Sequence, residues 1–79
     1  MTPFLEKLIA GGPGYRASVS NTHIGVTPDG ADEAALIAFQ PIAHQIIENA
    51  GDGYSLHPEP KRNSDYSTDY YDAIMIVLD

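Results

Sequence analysis

The sequence predicts an α+β fold, a two-layer sandwich with two helices packed on a roughly four-stranded, mainly antiparallel sheet. Three observations predict it. Apolar residues recur at helical spacing near the N-terminus and again from Leu36 to Ala50. Residues 15–28 sort into an apolar and a polar side under one hairpin register. The chain then closes on the strongly apolar run AIMIVL. The predicted order is helix, hairpin, helix, hairpin, and 79 residues leave room for one domain, 1–79, without a second core.

Thr2 and Pro3 open the first helix as a hydroxyl N-cap followed by proline at the first helical position, where a missing N–H costs nothing. Phe4, Leu5, Leu8 and Ile9 form its apolar stripe. Gly11 and Gly12 supply a left-handed C-terminal residue, and Pro13 prevents continuation. With Asn21-Thr22 as a two-residue turn, Ser20 lies opposite His23, Val19 faces Ile24, Ala17 faces Val26, and Tyr15 lies near Pro28. Arg16, Ser18, Ser20, His23, Gly25 and Thr27 take the polar face.

Either Asp29 or Asp32 caps the second helix, with acids at the positive end of its dipole. Leu36, Phe39, Ala43, Ile46, Ile47 and Ala50 keep one stripe. Pro41 interrupts it, which predicts a kink or two consecutive helices, and Gly51 and Gly53 end it. In GYSLHPEP, Tyr54, Leu56 and Pro58 alternate with Ser55, His57 and Glu59, a strand whose prolines suit a sheet edge. KRNSD reads as an exposed loop. In the last strand Ile74, Ile76 and Leu78 take one face, while Ala73, Met75 and Val77 take the other. Apolar residues on both faces predict that both are covered, the second by a loop or by another copy of the chain.

Eleven acids against four bases give a net charge of −7, a field that repels nucleic-acid phosphates and anionic membranes. Neither is expected as a partner; a protein with a basic surface is. The plainer account is that acidic surfaces keep proteins soluble. Zero cysteines leave no disulfide and no thiolate metal ligand. MTPFLEKLIAGG has no basic n-region and too short an apolar run for a signal peptide, so a soluble cytoplasmic protein is expected.

Chemistry-bearing motifs are sparse. GGPG follows a helix instead of preceding one, so it reads as a cap and turn, not a phosphate cradle. His44 and Glu48 share a helix face but lack a third metal ligand. His57 beside Glu59 resembles a base oriented by a carboxylate, with no nucleophile motif to accompany it; His23 sits at a hairpin tip. No catalytic residue, metal site or cofactor is therefore assigned.

The strongest functional candidate is SDYSTDYYD, where Asp65, Tyr66, Asp69, Tyr70, Tyr71 and Asp72 combine carboxylates with rigid amphipathic rings suited to an interface. The aspartates fall at i, i+4 and i+7, merging into one stripe on a helix or spreading along an extended chain. They have no evident internal partner. The plainer reading is a solvated loop that keeps an aggregation-prone strand soluble. Calcium-loop spacing is absent.

In size, acidity and lack of catalytic motifs the chain is similar to small phage-encoded inhibitors of bacterial defence, anti-CRISPR proteins among them. The resemblance implies a non-enzymatic protein in the host cytoplasm that competes for a basic, nucleic-acid-binding surface. Two other classes remain open. One is a structural subunit that dimerises or adds a strand to a partner through its C-terminal strand. The other is a small metal- or histidine-dependent enzyme using His44, His57 and Glu59.

Overall fold

The structure is a computed structural model describing residues 2–78. The fold is α+β, with elements in the order α1 (Pro3–Ile9), β1 (Tyr15–Val19), β2 (His23–Pro28), α2 (Glu33–Glu48), β3 (Tyr54–Leu56), β4 (Lys61–Arg62) and β5 (Tyr71–Leu78). All strand pairs are antiparallel. Leu5 and Leu8 of α1, Phe39, Ala43 and Ile46 of α2, and Ile24, Val26, Ile74 and Ile76 of the sheet form one buried cluster with Tyr15 and Tyr54.

Local chemistry sets the ends of the helices. The Thr2 hydroxyl accepts from the Leu5 N–H at 3.2 Å, and Asp32 Oδ1 accepts from the Ala35 N–H at 2.9 Å. Asp32, not Asp29, is thus the second cap; Asp29 instead pairs with Arg16 at 2.8 Å. α2 runs unbroken through Pro41 and ends at Glu48, two residues short of the predicted Ala50. Pro41 and Ile37 are both exposed, so the Ile37 carbonyl deprived of its helical donor can turn to water.

The first hairpin adopts the predicted register, Tyr15↔Pro28, Ala17↔Val26 and Val19↔Ile24, closed by a 2.8 Å bond from the Ser20 N–H to the His23 carbonyl. One member of its apolar side departs from the expected burial: Val19 is 52% exposed.

Sheet order is β1-β2-β5-β3, with β4 also paired to β5. Tyr54–Leu56 pairs with the end of β5 and Lys61–Arg62 with its beginning, so β3 and β4 are two pieces of one edge strand. His57, Pro58, Glu59 and Pro60 interrupt it, with a cis bond before Pro58. The predicted KRNSD loop is accordingly corrected. Two of its residues pair with β5, and Asn63 is buried, because the edge strand resumes once the prolines are past. The second half of the chain holds three strands, not the expected hairpin.

β5 is flanked on both sides, by β2 and by β3 with β4. It is an interior strand, so strand addition through it has no open edge to use. Ile74 and Ile76 are buried as expected, but Met75 on the opposite face is 38% exposed and that face is only partly covered.

Candidate functional site

The acidic, tyrosine-rich stretch is neither helical nor extended. The Asn63 N–H donates to the Tyr70 carbonyl at 2.8 Å, bringing the two ends of the stretch together as an Ω-type lobe. Asn63 also organises the interior. Its Oδ1 accepts from the N–H groups of Asp65 at 3.0 Å, Tyr66 at 2.7 Å and Ser67 at 3.4 Å. An asparagine side chain thus stands in for a turn of backbone, the ordinary chemistry of an Asx turn. Ser67 Oγ accepts from the Asp69 N–H at 3.1 Å, and the Tyr70 N–H donates to the Ser67 carbonyl at 3.2 Å.

Two further side chains fasten the lobe to the fold. Arg62 lies over the Tyr71 ring, 4.2 Å from its centroid, and one guanidinium nitrogen reaches the Thr68 and Asp69 carbonyls at 3.4 Å each. Gln40 of α2 binds the Tyr71 backbone through both ends of its carboxamide. Where β4 meets β5 the register slips: Lys61 faces Ala73 but Arg62 faces Tyr71, leaving Asp72 as an extra residue in β5. This bulge returns the Tyr71 ring to the helix side, edge-on to His44 with centroids 5.5 Å apart.

The six predicted surface residues therefore divide. Asp65, Tyr66 and Asp69 are exposed and Tyr70 is half-buried. Tyr71 is a structural anchor, held by Gln40, Arg62 and His44. Asp72 has an internal partner after all, since Lys61 lies 3.8 Å away across the bulge. The pairing is not legible in the sequence, because it depends on an irregular register between β4 and β5. Asp65 and Asp69 join no ion pair among the described residues. Beside the lobe lies an open cleft of about 350 Å³ lined by Ile47, Leu56, Glu59, Pro60, Arg62 and Tyr71.

Asn63, Arg62 and Gln40 are not among the six residues that the sequence singles out. An asparagine just after a basic pair and before SD is a recognisable turn signal. Gln40 gives none, because its partner lies 31 residues away.

The histidines do not converge. His57 lies beyond the end of β3, so it shares no strand face with Glu59. The His23 ring is 2.6 Å from the Thr22 hydroxyl, and His44 serves Tyr71. Among the described residues no three His, Asp or Glu side chains are placed to hold a metal ion. No helix among them is long and apolar enough to cross a membrane. No protein family, curated protein or solved structure matches this chain.

Proposed function

We propose that the protein is a non-enzymatic binding module, a two-layer α+β sandwich acting in the cytoplasm, that docks its acidic lobe on a basic surface of another protein. The observation that carries this reading is the division of labour inside the lobe. Asn63, Arg62 and Gln40 fix its backbone, while Asp65, Tyr66 and Asp69 project into solvent. A backbone held this way loses little entropy on binding. The carboxylates steer a basic partner, and the rings supply contact area.

The charge inventory supports the same reading. Of the four bases, Arg16 is paired with Asp29, Lys61 with Asp72, and Arg62 lies on Tyr71. Only Lys7 is left beside the nine acids outside these two ion pairs. Where the partner's basic surface normally holds nucleic acid, docking would compete with it, the mode of action of the phage inhibitors that the chain resembles in size and acidity alone.

The test compares wild type with an Asp65→Asn/Asp69→Asn double variant and with Tyr66→Ala, each immobilised and challenged with host extract at low and high salt. Capture of a basic protein should weaken with salt and fall sharply in the variants while their folds persist. Unchanged capture by well-folded variants would remove the lobe from the interface.

A further inference from the structure

The two edges of the sheet are built differently. The β3–β4 edge carries the devices that keep strands from pairing with strangers: two prolines, an interruption and two basic residues. β1 carries only one of them, a single basic residue. Its five residues, YRASV, contain no proline and no bulge, and its one charged residue, Arg16, is held by Asp29 at 2.8 Å.

The hairpin register shows which backbone groups this edge presents. Because the Ser20 N–H bonds the His23 carbonyl, the bonded pairs continue at Ser18↔Gly25 and Arg16↔Thr27. The N–H and C=O groups of Tyr15, Ala17 and Val19 therefore point away from β2. Among the described residues they have no hydrogen-bond partner beyond the strand.

We propose that a second copy of this chain occupies this edge, β1 pairing antiparallel with β1 about Ala17 to make a two-fold symmetric, continuous sheet. Five features of the strand fit its own inverse. Ala17 meets Ala17, with small side chains at the axis. Arg16 meets Ser18, so no like charges stand directly opposite. Tyr15, Ala17 and Val19 are also the residues whose free groups point outward, as bonded pairs require. Val19 would lie opposite the partner's Tyr15, covering a valine that is 52% exposed on the otherwise buried side of the hairpin. Finally, self-pairing makes the contact isologous and closed, so it stops at two copies. A five-residue seam is small, and the dimer is accordingly weak and reversible.

Two chains of net charge −7 repel each other, so added salt strengthens this association. Docking of the acidic lobe on a basic partner has the opposite salt dependence, and the two proposals stand or fall separately.

Sedimentation from micromolar to millimolar concentration, at low and high salt, tests the pairing. A dimer fraction that rises with both is expected. Amide exchange at Ala17 and Val19 should slow as concentration rises, while amides of the Met75 face stay unchanged. Ala17→Pro removes a donor that β2 does not use, and by symmetry two seam bonds, so association should fall about tenfold or more. Val19→Lys sits at an exposed position and lowers the mutual repulsion, yet it should also abolish pairing; it decides the matter if Ala17→Pro fails to fold. A strict monomer at millimolar concentration, or a dimer that survives Val19→Lys, overturns the proposal.

Discussion

Gln40 reads the backbone of Tyr71 in both directions: its Nε2 donates to the Tyr71 carbonyl at 2.9 Å, and its Oε1 accepts from the Tyr71 N–H at 2.9 Å. The same Nε2 also donates to the Leu36 carbonyl, one turn earlier in α2, at 2.8 Å. A helix side chain thereby takes up the Tyr71 backbone groups three residues before Ile74, where the pairing of β5 with β2 begins. One carboxamide ties the base of the lobe to the core.

Replacing Gln40 with alanine leaves the Tyr71 N–H and C=O half-buried and unpaired. The cost should be about 2 kcal/mol, the scale of stranding partly buried polar groups. At roughly 4–8 °C per kcal/mol for a domain of this size, the melting temperature should fall by about 8–16 °C. Gln40→Glu keeps the acceptor and loses the donor, so urea denaturation should place it between wild type and Gln40→Ala.

Asn63 should behave as a local organiser rather than a global one. Asn63→Ala deletes three acceptor contacts at once and should cost about 1–2 kcal/mol, the scale of a lost cap. Amide exchange should quicken at Asp65, Tyr66 and Ser67 well before the core is affected. Asn63→Asp keeps the oxygen that accepts these bonds, so protection of the three amides should largely return. A uniform loss of protection across the sheet would instead make Asn63 a core residue in energetic terms.

The parts of this fold legible in the sequence were those that capping residues and a regular alternation announce. Thr2-Pro3 announces α1, and one register of residues 15–28 sorts every side chain of the first hairpin. Decisions that rest on irregular strand alignment were not legible. Nothing in KRNSD reveals that Lys61 and Arg62 rejoin an edge strand, because that depends on where β5 lies. The bulge at Asp72 likewise appears only when two strands are aligned, and it turns Tyr71 from a surface residue into an anchor. For the candidate site, residue types marked the right segment. They could not separate Asp65, Tyr66 and Asp69, which face water, from Tyr71 and Asp72, which hold the lobe in place.

Gly14 is required twice over. Its φ is +89°, and a Cβ there would stand 2.9 Å from the Ala38 carbonyl oxygen of α2. Gly11 shares the backbone demand at φ +93° but has open space where its Cβ would go. Gly11→Ala should therefore cost only the left-handed penalty, about 1–2 kcal/mol. Gly14→Ala should add the displacement of a helix, for a total of about 2–4 kcal/mol. Equal destabilisation of the two variants in urea would show that α2 yields freely at Ala38.

Tyr54 should give the protein an alkaline limit. Its ring is 1% exposed, and its hydroxyl donates to the Ile46 carbonyl at 2.5 Å. The Ala50 N–H, the ordinary helical donor to that carbonyl, goes instead to Ile47. The phenol therefore caps an orphan of the last turn of α2. Burial raises its pKa above the usual 10.0, and the nearby Asp52 carboxylate raises it further. Below the ordinary tyrosine pKa the group is protonated whether the chain is folded or not, and it adds no pH dependence. As pH climbs past that value the unfolded chain ionises first, so the folded state holds the extra proton. Stability then drops by up to about 1.4 kcal/mol per pH unit, until the folded-state pKa is reached. Tyr54→Phe should cost about 1 kcal/mol at neutral pH through the lost cap, and it should also lose this share of the alkaline decline. Urea midpoints for both proteins across the alkaline range supply the comparison: two curves that fall in parallel would assign the decline to other groups.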